Sequence, residues 1–149
     1  LKIVAAALGL LISASAFAGI GQNIDTIDGW SVHLSSDSMT DKKTCTAVYI
    51  KNRGVQYTFD SFAIGDLSWP TSYRYRFDDG KASPTIDTTD VERKIGAVVI
   101  MDPKFLEQLL TSKRVRIQVL ANGNRQLDYD VDVSQLPSVN EFLKSPRCN

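Results

Sequence analysis

RVRIQVLANGNRQLDYDVDV, Arg114 to Val133, is two alternating runs joined by Asn122-Gly-Asn124, and its pairing decides the fold. Successive side chains of a strand point to opposite faces, so a slip of one residue exchanges the faces. A two-residue loop at Asn122-Gly123 would set Ile117 against Asp128 and Val115 against Asp130, with carboxylates on the buried side. A three-residue loop, Asn122 to Asn124, instead pairs Val119 with Leu127, Ile117 with Tyr129 and Val115 with Val131 on an inner face. The outer face then pairs Gln118 with Asp128, Arg116 with Asp130 and Arg114 with Asp132. Both faces are satisfied together, so the spacing predicts an antiparallel hairpin with Asn124 in the left-handed conformation that asparagine tolerates.

Alternation continues upstream. Trp30, Val32 and Leu34 fall on one face of a strand, and Ser31, His33 and Ser35 on the other, which turns His33 toward solvent. Ser38 to Lys43 is a polar turn. Thr44 to Lys51, apolar on both faces, reads as a central strand. Val55 to Phe59 is a short strand, and Tyr73, Tyr75 and Phe77 share one side of another, opposite Arg74 and Arg76. The polar segment to Asp90 reads as irregular, and Gly96 to Met101 as a short apolar strand bounded by charge. Phe59 to Thr71 lacks clean periodicity beyond its first residues and reads as a loop carrying Phe59, Phe62 and Trp69.

Two helices are expected. Asp102-Pro103 starts the first, since the carboxylate accepts free first-turn amides and proline at the first helical position loses no bond. Phe105, Leu106, Leu109 and Leu110 form its apolar stripe. Ser138 and Glu141 have capping-box spacing for a brief second helix whose inward residues are Val139, Phe142 and Leu143. The fold expected is mainly β: an antiparallel β-sandwich or flattened barrel with one crossing helix and a short C-terminal helix.

Of 149 residues, 43% are hydrophobic and 23% charged, with 17 basic side chains balancing 17 acidic ones. That excludes a disordered chain and a generally basic nucleic-acid binder. Lys2, the apolar run from Ile3 and Ala16-Phe17-Ala18 have the form of an export signal over residues 1–18, cleaved between Ala18 and Gly19, leaving one domain over 19–149. The apolar stretch is shorter than the about 20 residues a bilayer core demands, so no stable membrane insertion is expected after cleavage. Cys45 and Cys148, an even pair in an exported chain, are expected to form one disulfide. Closing about a hundred residues is worth roughly 4.7 kcal/mol in the chain-entropy account.

Chemistry is sparse. One histidine and two cysteines match no zinc spacing. Asp128, Asp130 and Asp132 suggest a calcium loop, but Val133 and Val139 stand where glycine and glutamate are needed. Ser31 and Ser35 are only strand neighbours of His33, and no nucleophile elbow exists. No catalytic, metal or cofactor residues are therefore assigned. Arg74, Arg76, Lys113, Arg114 and Arg116, interleaved with Tyr73 and Tyr75, look superficially like a polyanion surface. Since Arg114 and Arg116 face aspartates, solvated cross-strand ion pairs are the expectation, without nucleic acid.

Trp30-Ser-Val-His-Leu-Ser-Ser-Asp-Ser-Met-Thr-Asp-Lys-Lys-Thr-Cys45, Tyr73-Arg-Tyr-Arg-Phe-Asp78, Phe105 to Val119, and Tyr129-Asp-Val-Asp-Val-Ser-Gln-Leu136 before Cys148 carry a resemblance. The chain resembles small exported bacterial envelope proteins of the invasion-associated locus B type, and also accessory proteins linked to type VI secretion. The second group usually has a more aromatic ending and a glycine before the final helix, where Ser134-Gln-Leu-Pro137 stands here. The resemblance implies a β-sandwich of the cell envelope without known catalytic residues.

The expectation for function is a non-enzymatic periplasmic or secreted protein that binds another envelope or secretion-system protein. A sheet edge or the loop with Phe59, Phe62 and Trp69 would make the contact. Two alternatives stand beside it. One is a cell-wall-directed hydrolase or hydrolase inhibitor, with Asp78 and Asp87 as an acid/base pair. The other is a lipid or small-ligand carrier with a hollow interior.

Overall fold

The structure is a computed structural model that describes residues 21–149. The export signal and its Ala18–Gly19 junction lie outside the described residues. Ten strands and three helices follow in chain order: β1 (Gln22–Ile27), β2 (Trp30–Ser36), β3 (Lys43–Tyr49), β4 (Val55–Tyr57), β5 (Phe62–Ile64), β6 (Pro70–Phe77), β7 (Ile86–Asp87), α1 (Asp90–Ile95), β8 (Val98–Ile100), α2 (Pro103–Thr111), β9 (Arg114–Ala121), β10 (Arg125–Asp132) and α3 (Leu136–Leu143). They build two antiparallel sheets, ordered β1-β2-β3-β4-β5-β8 and β10-β9-β6-β7. The arrangement is sandwich-like and does not close into a barrel.

The β9–β10 hairpin has the three-residue register, with Val119 opposite Leu127, Ile117 opposite Tyr129 and Arg116 opposite Asp130. Asn124 has φ 66°, as the loop requires. The outer-face ion pairs differ from expectation. Arg114 binds Asp130, its diagonal neighbour, instead of Asp132. Asp132 accepts from the backbone and hydroxyl of Ser134 at 3.0 and 2.6 Å. Arg116 donates to the carbonyl of Asp78 at 2.8 Å. A long guanidinium arm reaches diagonally as readily as straight across, so register alone does not choose its partner.

Between the sheets, Trp30, Val32, Tyr57, Phe62, Ile117 and Val119 are fully buried or nearly so. Phe105, on α2, lies 5.9 Å from the ring of Phe62 in one sheet and 4.8 Å from Tyr75 in the other. The apolar stripe of α2 thus bridges the layers. Asp102 caps that helix by accepting from Lys104 N at 3.1 Å, as its position predicts. β3 is central, and both Ala47 and Val48, on opposite faces, are buried.

Two local expectations are revised. The C-terminal helix starts at Leu136, two residues before Ser138, with Pro137 in its first turn and no side-chain cap. Burial of Leu136 holds this start where no cap does. The polar segment to Asp90 is not irregular throughout: β7 pairs there with β6, and α1 follows it with a reciprocal Thr89–Glu92 capping box. The helix buries no residue, so it has no apolar stripe to reveal it. Gly96 ends it at φ 68°, and a Cβ there would meet the Leu67 carbonyl oxygen at 2.4 Å.

Cys45 on β3 and Cys148 after α3 are bonded, with their Cα atoms 5.3 Å apart. Tyr57 reinforces the same closure by donating to Asn140 Oδ1 at 2.8 Å, and burial pushes its phenol up to about 12. Among the described residues no helix is long and apolar enough to cross a membrane.

Candidate functional site

The stretch 59–71 is not one loop. β5 runs through it and pairs with β4 on one side and β8 on the other. Phe62 pairs with Ile100 and Ile64 with Val98, so Phe59 and Met101 lie beyond one end of this ladder, and Leu67 and Gly96 beyond the other. Phe62 itself is 0% exposed and belongs to the core, which corrects its expected place in a docking loop. Alternation over three residues is too short to separate a buried strand from a loop by inspection. Phe59 and Trp69 are therefore presented at opposite ends of β5.

At the first end, Phe59 is 41% exposed and Met101 65%. With Asp60, Pro103 and Leu106 they line an open depression of about 490 Å³. At the second end, Trp69 is 52% exposed and has φ 48°. A bulky residue in the left-handed region carries a steric cost, which the surrounding bonds must offset. Trp69 O accepts from Asn122 N at 3.2 Å, and Leu67 N donates to Gly96 O at 2.9 Å. A bulge between Pro70 and Ser72 follows, secured by Thr71 Oγ1 donating to Leu120 O at 3.1 Å and Thr88 Oγ1 donating to Pro70 O at 2.7 Å. Such bulges re-aim the chain beside them. Nearby Asp66, also left-handed, adds its charge to burial in raising the Tyr129 phenol.

His33 is 6% exposed, contrary to the solvent-facing expectation. Strand β1 lies alongside, and His33 Nδ1 is 3.3 Å from Gly21 O while Nε2 is 2.9 Å from Ser31 Oγ. Alternation correctly put Ser31 and His33 on the face opposite Trp30, but alternation does not report what covers that face. The serine–histidine contact has a main-chain carbonyl where a triad has a carboxylate, and Ser31 Oγ also lies 3.3 Å from Val48 O.

Asp78 and Asp87 are not brought together. Asp87 sits opposite Ser72, whereas Asp78 follows Phe77 at the far end of β6. Six residues of strand span roughly 20 Å, well beyond the roughly 5–9.5 Å of a glycosidase pair. Asp78 Oδ1 instead accepts from the backbone N–H groups of Lys113 and Arg114, each at 3.0 Å, where β9 begins. Among the described residues no group of three histidine, cysteine or carboxylate side chains is arranged to hold a metal ion.

No protein-family model matches the chain, and no curated protein matches it. Among solved structures it is similar to invasion associated protein B from Bartonella henselae, at 18% identity over 77% of this chain and 90% of that one, with a TM-score of 0.49. A likeness this distant says nothing of what either protein binds.

Proposed function

We propose that this is a non-enzymatic protein of the periplasm or the secreted medium that binds another protein of the envelope or of a secretion system, through the end of the fold that presents Trp69. The observation that carries the reading is Trp69 itself: a half-exposed indole on a left-handed backbone, anchored by Asn122 and followed by a bulge. Core packing gives no reason to hold a large apolar side chain in a costly conformation facing water. A partner's pocket does, since buried tryptophans dominate the energetics of protein interfaces. The Cys45–Cys148 disulfide supports an oxidising compartment.

A photo-crosslinking residue in place of Trp69 is expected to capture a discrete partner, identified by mass spectrometry, that the same residue at the exposed Met39 does not. With that partner purified, Trp69→Ala is expected to raise Kd by about tenfold or more, and Met39→Ala to leave it unchanged. Equal recovery of every partner from both positions, or an unchanged Kd in Trp69→Ala, overturns the reading.

A further inference from the structure

Two polar ladders cross the outer face of the four-stranded sheet. Arg74, Gln118 and Asp128 are successive neighbours on β6, β9 and β10, and so are Arg76, Arg116 and Asp130. In the first ladder Arg74 Nε donates to Gln118 Oε1 at 2.8 Å, and Gln118 Nε2 donates to Asp128 Oδ1 at 3.0 Å. In the second, Asp130 is taken by Arg114. Arg116 reaches only the Asp78 carbonyl, and its Nε is shielded from solvent without a hydrogen-bond partner. Arg76 reaches only the carbonyls of Gly80 and Asp79, at 2.6 and 3.3 Å.

Among the described residues, then, none of Arg74, Arg76 and Arg116 has a carboxylate at ion-pair distance. Arg76 and Arg116 stand directly opposite each other, an arrangement of like charges that weakens a sheet. The three guanidinium groups line an open groove of about 430 Å³, with Asp128 and the Arg114-paired Asp130 on its wall. A second depression of about 250 Å³ continues from it, sharing Arg74 and Gln118 and adding Ser72, Thr85 and Gln126.

We propose that this groove binds an anionic saccharide, a sugar chain bearing carboxylate groups. Guanidinium groups match carboxylates through paired, charge-assisted N–H donors, which relieves the opposition of Arg76 and Arg116. The amides of Gln118 and Gln126 both donate to and accept from hydroxyls. Asp128 makes the ligand more specific than an anion. A DNA backbone or a sulfate ion offers this carboxylate no donor and is repelled by it, whereas a sugar hydroxyl donates to it. The groove lies on the outer face of the sheet, and its occupancy is independent of any contact at Trp69.

Calorimetry of the disulfide-intact protein with an oligogalacturonate tests the proposal against three comparison ligands: its fully methyl-esterified form, inorganic sulfate, and a single-stranded DNA oligonucleotide. The free-carboxylate oligomer is expected to bind about tenfold or more tighter than each. Arg74→Gln and Arg116→Gln are each expected to weaken it by about tenfold. If Arg116→Gln proves poorly folded, Arg74→Gln carries the test, because that side chain bonds only to Gln118. Asp128→Ala is the discriminating variant: loss of a hydroxyl acceptor weakens the saccharide, whereas removing a negative charge strengthens any simple anion. No measurable binding of the oligomer, equal binding of the ester, sulfate or oligonucleotide, or tighter binding in Asp128→Ala overturns the proposal.

Discussion

The β9–β10 hairpin and the stretch 59–71 are both rich in apolar residues, yet they obey different rules. In the hairpin each side chain's face is set by a partner a short distance along the chain, across a turn whose three residues all have positive φ. In 59–71 the deciding partners are remote: Phe62 meets Ile100, Leu67 meets Gly96, and Pro70 meets Ala121. Local pairing writes itself into sequence as alternation. Remote pairing leaves a segment that looks irregular until its neighbours are in place, and the same twelve-odd residues then divide between core and surface.

The comparison is most easily broken at Phe62. If remote packing governs 59–71, Phe62→Ala is expected to cost about 3–5 kcal/mol, as deletion of a buried aromatic does, whereas Trp69→Ala in the same stretch costs about 1 kcal/mol or less. Urea unfolding of both variants measures the contrast, and similar costs would mean that the two residues share one environment. Replacing Cys45 and Cys148 together by alanine is expected to cost about 2–5 kcal/mol. It releases the tail from β3 while leaving the β9–β10 register intact, which backbone amide exchange can follow separately in the two sheets.

The smallest effect sharpens the hairpin side. Arg114 holds the Asp130 carboxyl below its usual range, and the Ser134 hydroxyl and amide do the same for Asp132. Because both groups ionise more readily folded than unfolded, their contribution is present above the ordinary carboxylate pKa and lost as pH falls through the depressed values. Both lie at an exposed edge, so the loss is slight. Thermal midpoints measured from pH 7 down to pH 3 are expected to fall less in Asp130→Asn with Asp132→Asn than in the unaltered protein. An equal fall would remove these carboxylates from the account of acid sensitivity.

Much of the candidate surface was legible only in outline. Trp69 stood out as an aromatic between Gly65 and Pro70 without periodic company, and the structure exposes it. Phe62 stood in the same stretch with the same apparent freedom, and the structure buries it. The Thr89–Glu92 capping box was present to be read, but a one-turn helix with no buried face gives no periodic signal beside it. For the outer-face arginines, alternation put them on one side, but which would be neutralised was not a matter of pattern. Arg114 turned to Asp130, and Arg116 was left to a main-chain oxygen.

By itself the sequence determined what short-range chemistry can determine: the mainly β class, the hairpin register, the α2 cap, and the pairing of two cysteines when only one pairing exists. Tertiary structure decided the rest. It joined β5 to β8, set β1 beside His33, sent Phe59 and Trp69 to opposite ends, and left three arginines around a groove without ion-pair partners. The physical reason is range. Side-chain alternation and capping act between residues a few positions apart, while burial and ion pairing depend on whatever the whole chain brings alongside.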